Sequence, residues 1–355
     1  MCFGDGRSVM SPRSGIAQDH LPGDLSRVAP LDLEALAARL PPRPVTRFAP
    51  SLTGYLHLGH VANAVCVWGI ARALGGRVIL RLEDHDRGRC RAEYETALLE
   101  DIEWLGLVPD VGVPAEFRAR VSSLRQSDND SLYRDHLARL SGQAHVFACD
   151  CSRKDMAIEG GDIPDIETVY PGRCRSRGLA FGSGRGIRLQ IESGEERFED
   201  GWLGAQSQDP SIQCGDILLR DRLGNWTYQF AVVVDDLRQN VDLVIRGEDL
   251  LSSTGRQLRL ARLLGRGRQP VFAHHPLIRK PSGEKLSKSA GDTGVRGLRA
   301  SGATPEAVLG RAAALIGLLP DARDLAPHDL AKLFQEASVI HRSAAEGAEK
   351  DRRVL

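Results

Sequence analysis

The spacing of hydrophobic residues changes twice near the start of the chain. Residues 46–49 are apolar at alternate positions and are stopped by Pro50, which predicts a short buried strand. Over residues 61–74 the apolar positions recur at helical spacing, which predicts a helix that ends at Gly75. Residues 77–82 are again a short apolar run and predict a second strand. The order strand, helix, strand is typical of parallel sheets covered by helices.

The later hydrophobic patterns continue this alternation. Helical spacing predicts helices over residues 31–40, 92–105, 132–140, 256–264, 304–318 and 328–339. Alternating or continuous apolar runs predict strands over residues 187–200, 211–220, 226–234 and 241–245. The run 226–234, WTYQFAVVV, is assigned to a strand because it is rich in β-branched and aromatic residues. The chain as a whole therefore predicts an α/β fold.

Charged residues come directly after two of the predicted strands. Glu83 follows residues 77–82, and Arg246 follows residues 241–245. The carboxyl ends of parallel strands form the edge of a sheet where ligands bind. We therefore expect both side chains to belong to a ligand site.

Two histidines stand where the first predicted helix begins. The first turn of a helix has unsatisfied N–H groups and a partial positive charge, so it attracts phosphate. His57 and His60 can add hydrogen bonds to phosphate oxygens, and Gly59 leaves room for a nucleotide against the backbone. Ordinary capping or surface histidines would give the same short pattern, which often occurs by chance.

A second basic motif lies near the end of the chain. Lys285 and Lys288 belong to the sequence KLSKS, within a loop marked by Pro281 and Gly283. Two ammonium groups three residues apart suit a mobile clamp on polyphosphate. A solvated basic loop would explain an isolated pair of lysines equally well.

Composition restricts the class of protein. The 355 residues are 42% hydrophobic and 26% charged, as in globular proteins with one to three domains. The formal net charge is zero, so any contact with RNA must come from local patches. No apolar run approaches the ~20 residues that span a membrane, and the N-terminus lacks the apolar core of a signal peptide. We expect a cytoplasmic protein without a membrane partner.

Three of the seven cysteines stand close together with a tyrosine. Cys149, Cys151 and Cys174 offer thiolates, and Tyr170 offers a phenol, which together could form a tetrahedral zinc site. The CxC spacing is tighter than the usual CxxC, and tyrosine is an unusual zinc ligand. Reduced, free cysteines are the alternative interpretation.

The histidine and lysine motifs, in this order and separation, closely resemble the HIGH and KMSKS signatures of class I aminoacyl-tRNA synthetases. Residues 43–319 resemble the glutamyl-tRNA synthetase catalytic core in the stretches RFAPSLTGYLHLGH, RLEDHDRGR, YQFAVVVDD, RGEDLLSSTGRQ and EKLSKS. Two positions depart from the family pattern: Leu52 stands where a proline is common, and Ser289 where a glutamine is frequent.

Within that family the chain looks most like the glutamyl-Q-tRNA(Asp) synthetases. The set of Cys149, Cys151, Tyr170 and Cys174 matches that subfamily's zinc site residue by residue. The stretch after Ser289 is also too short for the large anticodon-binding region of a complete glutamyl-tRNA synthetase.

The resemblance implies a Rossmann-type catalytic domain in two halves, with a zinc-binding insertion and a short helical C-terminal region. The expected segments are a flexible extension over 1–42, catalytic halves over 43–145 and 181–290, the insertion over 146–180, a helical stem-contact-like region over 291–340 and a tail over 341–355.

The resemblance also implies a reaction. L-glutamate is activated with ATP and Mg²⁺, without the need for tRNA that ordinary glutamyl enzymes show, and is transferred to queuosine in the anticodon of tRNA(Asp). Arg47 and Arg246 would bind the two glutamate carboxylates, Glu83 the ammonium group, and Tyr228 would donate a hydrogen bond. The remaining residues expected at the glutamate site are Phe48, Ala49, Pro50 and Ser51. The residues expected to contact ATP or stabilise its transition state are His57, Gly59, His60, Lys285 and Lys288.

Two other functions remain open on sequence grounds. One is a truncated glutamyl-tRNA synthetase that charges tRNA(Glu), and the other is a catalytically silent paralogue that binds RNA. We expect one structural Zn²⁺ and a monomer, because no coiled-coil segment or large exposed apolar segment is visible.

Overall fold

The computed structural model describes residues 31–152, 155, 169–278 and 294–336. The strands are β1 (Val45–Phe48), β2 (Arg77–Leu80), β3 (Val146–Cys149), β4 (Gly186–Leu189), β5 (Glu196–Asp200), β6 (Gly204–Gln208), β7 (Ile217–Arg220), β8 (Leu243–Gly247) and β9 (Val271–His275). The helices are α1 (Leu33–Ala37), α2 (Leu58–Ala73), α3 (Ala92–Trp104), α4 (Pro114–Arg118), α5 (Asp130–Ser141), α6 (Pro210–Gln213), α7 (Tyr228–Arg238), α8 (Thr254–Leu263), α9 (Val295–Ala300), α10 (Pro305–Leu315) and a last helix over residues 330–336. Short 3₁₀ helices cover Gln126–Asn129, Glu248–Ser253 and Pro327–Asp329.

Parallel strands form the centre of the molecule. β1 pairs with β2 and β8 pairs with β9, in both cases in parallel. The amide of Asp242, just before β8, donates to the carbonyl of Val45 in β1, so the two pairs lie side by side. The carboxyl ends of β1, β2 and β8 therefore face the same side of the molecule. The hairpin of β5 and β6 extends this unit beyond β9, while β3, β4 and β7 form a separate antiparallel sheet.

Helix α2 packs against this parallel unit on one side and against α10 on the other. Most of its residues are buried, and Val65, Cys66 and Ile70 have no measurable exposure. A helix that is apolar around its whole circumference is typical of a protein core. Gly69 allows the last helix to come close, because an added Cβ would lie 2.4 Å from the ring of Phe334.

Most predicted elements are confirmed, including the strand–helix–strand unit at the start and the mixed α/β class. Residues 31–42, placed in the N-terminal extension on sequence grounds, pack on the core: Leu36 is fully buried, and Arg39 donates to the backbone carbonyl of Glu199. In the part of the chain that the structure describes, no helix is both long and apolar enough to cross a bilayer.

The predicted strand over residues 226–234 is wrong. This segment forms the first turns of α7, which starts at Tyr228. Its apolar residues Phe230, Ala231 and Val234 are buried against a core shared with α5 and α8. Burial of one helix face outweighs the preference of valine for strands, because strand propensity depends strongly on tertiary context.

The predicted strand over residues 211–220 is correct only in its second half. The chain first forms α6, whose first turn is capped by Asp209: its carboxylate accepts hydrogen bonds from the amide and hydroxyl of Ser211. An aspartate before Pro210 is an ordinary signal for a helix start. The alternation of apolar and polar residues predicted a strand from residue 211, but the strand begins only at Ile217.

Candidate active site

A cavity of about 670 Å³ opens at the carboxyl ends of β1, β2 and β8. It brings together every predicted glutamate-site residue and the three predicted residues at the start of α2. These are Arg47, Phe48, Ala49, Pro50, Ser51, His57, Gly59, His60, Glu83, Tyr228 and Arg246. Lys285 and Lys288 lie outside the described residues.

The two histidines cap helix α2 and line the cavity at the same time. Nδ1 of His57 accepts the amide of Gly59 at 3.1 Å, and Nδ1 of His60 accepts the amide of His57 at 3.1 Å. Because both Nδ1 atoms are acceptors, the proton of each neutral ring lies on Nε2. These histidines therefore have both positions at once: they cap the helix, and they line the cavity.

Gly59 is required for a reason that the sequence did not indicate. A Cβ at this position would lie 2.9 Å from Cε1 of His57. A side chain would therefore displace the capping ring, whereas glycine lets the ring fold back over the first turn of the helix.

On the β1–β2 side of the cavity, arginines and carboxylates neutralise one another. Nε of Arg47 lies 3.2 Å from the carboxylate of Asp236. Arg81, which is fully buried, lies 2.7 Å from Asp236 and 3.0 Å from Glu83. Burial alone would raise the pKa of Asp236, but Arg47 and Arg81 hold it below its ordinary value. Glu83, the residue predicted to bind an ammonium group, is thus already paired with a cation.

On the β8 side, Arg246 is bound by neutral acceptors. Its guanidinium donates to Gln257 at 2.7 Å, Thr254 at 2.8 Å and His274 at 3.0 Å. Within the described residues, no carboxylate lies in ion-pair distance of it. Burial lowers the pKa of Arg246. Asp236 attracts this charge only from beyond ion-pair distance. A buried cation without a carboxylate in direct contact is costly, and this one is placed to receive an anion from the cavity.

Tyr228 reaches the cavity from a helix, not from the strand that the sequence predicted. It is the first residue of α7, and its hydroxyl lies 3.5 Å from Nη1 of Arg246. The structure thus places Tyr228 beside Arg246, a proximity that the sequence did not indicate, and a helix provides it.

Within the described part of the chain, the cavity wall contains five further polar residues that were not among the predicted site residues: Asn63, His85, Arg89, Asp249 and His275. His85 donates from Nδ1 to Oε1 of Gln126 at 2.7 Å, since the amide nitrogen of Gln126 donates to Asp235 at 2.9 Å. Asn63 donates to Nε2 of His275 at 3.1 Å. Asn63 follows His60 by three positions, so the helical period could have placed it on the same face.

The cysteine cluster lies in and beside the antiparallel sheet. The sulfurs of Cys149, Cys151 and Cys174 all lie within 4.8 Å of one another. The hydroxyl of Tyr170 is 3.5 Å from the sulfur of Cys149 and accepts the amide of Cys174 at 2.9 Å. The three thiols are close enough to hold one metal ion, and the phenol of Tyr170 lies beside them, a donor set that suits a tetrahedral zinc site. None of the described cysteines forms a disulfide.

Comparison with protein families gives one match over most of the chain. Residues 44–345 match the family described as tRNA synthetases class I (E and Q), catalytic domain.

Curated relatives match at similar identity. The Glutamyl-Q tRNA(Asp) synthetase of Symbiobacterium thermophilum is 39% identical over 307 residues, which cover 82% of this chain and 93% of the relative. The protein of the same name from Rhodobacter capsulatus is 38% identical and is covered to 96%. A Glutamate--tRNA ligase from Oleidesulfovibrio alaskensis is also 38% identical, but this chain spans only 55% of its length.

Solved structures give the same fold. The glutamate-tRNA synthetase of Elizabethkingia anophelis is 26% identical with a TM-score of 0.67, and the glutamate tRNA ligase of Elizabethkingia meningosepticum, in complex with its amino acid, is 27% identical with a TM-score of 0.68. Both matches cover 82% of this chain, which spans 66% and 65% of the two solved chains.

Proposed function

Since the chain belongs to the family of class I tRNA synthetases (E and Q), we propose that it activates L-glutamate with ATP and transfers the glutamyl group to queuosine in tRNA(Asp). Membership in this family confirms the predicted class I catalytic fold and identifies the chain as an ATP-dependent ligase. The choice of acceptor is supported by two relatives named Glutamyl-Q tRNA(Asp) synthetase that this chain covers almost completely.

The observation that carries this proposal is the buried guanidinium of Arg246 on the cavity wall, which has no carboxylate in direct contact among the described residues. Glutamate has two carboxylates, and Arg246 can bind one of them in a bidentate manner without first releasing another anion. Tyr228 lies beside it and can complete the contact. Arg47 would bind the second carboxylate, although part of its guanidinium is already held by Asp236.

The ammonium group of glutamate would bind at Glu83. Only Oε1 of this carboxylate contacts Arg81, so the other oxygen can accept from the substrate. Residues 48–51 line the cavity between Arg47 and the start of α2. We propose that the amino acid lies along this wall with its reacting carboxylate directed toward α2.

ATP would bind at the amino-terminal end of α2. Activation forms a bond between the glutamate α-carboxylate and the α-phosphorus and releases pyrophosphate, so negative charge on the phosphate oxygens must be stabilised. His57 and His60 lie at the positive end of the helix and can donate from Nε2. Each such preorganised contact is worth about 10²–10³-fold in rate. Lys285, Lys288 and a phosphate-bound Mg²⁺ would complete this site.

The cysteine cluster would hold one Zn²⁺ with a structural role. Three thiolates and Tyr170 make a closed, four-ligand set without an open position for a substrate. When bound, the metal would join Cys149 at the end of β3 to the segment that carries Tyr170 and Cys174. A monomeric, cytoplasmic enzyme remains our prediction.

The test is glutamate-dependent ATP–pyrophosphate exchange by the full chain, followed by transfer of labelled glutamate. We expect exchange in the absence of any tRNA, and transfer to queuosine-containing tRNA(Asp) but not to the same tRNA without queuosine. Exchange only with tRNA(Glu) would favour a shortened charging enzyme, a reading to which the match with a glutamate–tRNA ligase gives some weight. No exchange under either condition would favour an RNA-binding paralogue without activity.

A further inference from the structure

Three buried side chains form a hydrogen-bonded series that ends at Arg246. Asp200 closes β5, His274 lies in β9, and Arg246 lies in β8. Oδ2 of Asp200 is 2.6 Å from Nδ1 of His274, and Nε of Arg246 is 3.0 Å from Nε2 of the same ring. Their exposed fractions are 2%, 0% and 4%. Asp200 and His274 do not line the cavity, and the proposed function assigns neither of them a role.

The hydrogen bonds determine which ring nitrogen of His274 carries the proton. The Nε–H of an arginine can only donate, so Nε2 of His274 must accept. A neutral imidazole has one donor and one acceptor, so the proton lies on Nδ1 and is donated to Asp200. Burial lowers the pKa of His274, which agrees with a neutral ring.

Asp200 is itself held in one orientation. Its Oδ1 accepts the backbone amides of Trp202, Leu203 and His274, which leaves Oδ2 directed at the imidazole. The carboxylate therefore cannot turn away without losing backbone hydrogen bonds in a fully buried position.

The other nitrogens of Arg246 are oriented in the same way. Nη2 donates to Thr254 and Nη1 to Gln257. Gln257 is fixed in turn because its amide nitrogen donates to Gln229 at 2.8 Å. All of these partners are neutral, so they set the direction of the guanidinium without neutralising its charge.

We propose that Asp200 and His274 are positioning residues for substrate binding. Asp200 fixes the tautomer of His274, and the ring then presents an acceptor that holds Arg246 toward the cavity. A carboxylate in place of the imidazole would pair with Arg246 and compete with the substrate, whereas a neutral ring leaves the cation available. This inference rests on the proposed function only in taking a substrate carboxylate as the ligand of Arg246.

The variant that tests this inference is Asp200→Asn, which preserves size and keeps an oxygen for the three backbone amides. Its amide nitrogen would face Nδ1 of His274 and favour the Nε2–H tautomer, which sets two N–H groups against each other at Arg246. We expect the KM for glutamate to rise about 10- to 100-fold, as for the loss of one buried, charged hydrogen bond. The KM for ATP should change less than about threefold, since the series does not reach the start of α2.

A matched control and a second substitution separate this role from general damage. Asp209→Asn removes another carboxylate that accepts backbone and hydroxyl hydrogen bonds, at α6 and away from the cavity, and should leave the KM for glutamate unchanged. His274→Gln supplies an amide oxygen near the position of Nε2 whatever residue 200 is. In that background, Asp200→Asn should raise the KM far less than in the wild type.

The tautomer itself can be measured without any assay of activity. Long-range ¹H–¹⁵N correlation spectra of the full, histidine-labelled chain should show Nδ1–H for His274 in the wild type and Nε2–H in Asp200→Asn, with the signal assigned by its loss in His274→Gln. An Nε2–H ring in the wild type would overturn the proposal, as would an unchanged glutamate KM in a folded Asp200→Asn variant. If the wild type shows no glutamate-dependent exchange, the proposed function fails while the spectra still decide the tautomer.

Discussion

The two sides of the cavity hold their arginines in opposite ways. On the β1–β2 side, Arg47 and Arg81 share the carboxylates of Asp236 and Glu83, so most of the charge is compensated inside the protein. On the β8 side, Arg246 contacts only neutral groups among the described residues. The first arrangement stabilises the walls of the site, and the second keeps a cation available for a ligand. Two arginines predicted to have the same role thus differ in what they contribute.

Replacement of Arg246 should give the largest effect on activity. Arg246→Gln removes the charge but keeps a polar side chain of similar length, and the loss of a buried charged contact costs about 2–5 kcal/mol. We expect kcat/KM for glutamate in the exchange reaction to fall about 10²- to 10³-fold. The free energy of unfolding should change by less than about 2 kcal/mol, because removal of the buried charge offsets part of the cost of leaving Gln257, Thr254 and His274 without their donor. Steady-state exchange and urea denaturation measure the two quantities, and a large loss of stability would contradict the comparison.

The same change at Arg47 should mainly affect stability. Arg47→Gln leaves Asp236 with Arg81 as its remaining close cation, and breaking a buried ion pair costs about 3–5 kcal/mol. We expect the midpoint of urea denaturation to fall clearly, together with a smaller loss of glutamate affinity than in Arg246→Gln. The double variant Arg47→Gln/Asp236→Asn is the control, because it removes both charges and should recover part of the stability.

The cysteine cluster lies outside the cavity, so a substitution there should affect stability more than activity. Cys174→Ser should lower the zinc content of the purified chain. It should also reduce the free energy of unfolding by about 2 kcal/mol, because a metal ligand is lost. Glutamate-dependent exchange at low temperature should stay within about twofold of the wild type, because the cluster does not line the cavity. Zinc analysis by mass spectrometry is the primary measurement. A full equivalent of zinc in the variant would exclude Cys174 as a ligand.

The smallest expected effect is on the pH dependence of stability. Acid should reduce the contributions of the two sides to the free energy of unfolding at different pH values. His274 is buried neutral, and its folded pKa is lowered by burial, so the unfolded chain binds a proton first as the pH falls through about 6.5. The contribution of neutral His274 to the free energy of unfolding is fully present above that pH. It is lost below that pH by up to about 1.4 kcal/mol per pH unit. The groups that face this ring are Arg246 from β8, Asp200 from β5 and, more distantly, Arg47 from β1.

Asp236, on the other side of the cavity, should respond only at lower pH. Its folded pKa is depressed, so its contribution is present above the unfolded value of about 3.9 and is lost only as the pH falls below it. Between pH 7.5 and 5, the free energy of unfolding measured with urea should therefore fall with decreasing pH, and His274→Gln should make this fall smaller. Burial also lowers the pKa of His275, which contributes to the fall in both proteins. An unchanged pH dependence in that variant would show that His274 does not titrate on unfolding.

Local patterns predicted the parts of this molecule that depend on neighbouring residues. The strand–helix–strand unit and the residues at its strand ends follow from hydrophobic period and turn chemistry, and they lie where expected around the cavity. The capping of α2 was only one of two readings, because helix starts are ordinarily recognised by serine, threonine, aspartate or asparagine and not by histidine. Tyr228 was identified from family resemblance, although its helix was mistaken for a strand.

The buried charges were not predictable from local pattern. Arg81 lies in an apolar run and bonds to Asp236, 155 positions later, and His274 bonds to Asp200, 74 positions earlier. Nothing in the neighbourhood of either residue distinguishes a buried, paired side chain from an exposed one. Only the tertiary fold, which brings α7 to Arg81 and pairs β5 with β9, places these partners together.

The complete burial of Arg81 has a consequence for how the chain folds. β1, α2 and β2 are adjacent in sequence and make local contacts, which form early in folding. Of the carboxylates around Arg81, only Glu83 is local, and α7 must deliver Asp235 and Asp236 before the buried guanidinium has its full set of partners. We therefore expect this face of the first unit to complete its burial only when the distant helix docks. Arg81 would thereby couple a local step of folding to a long-range one.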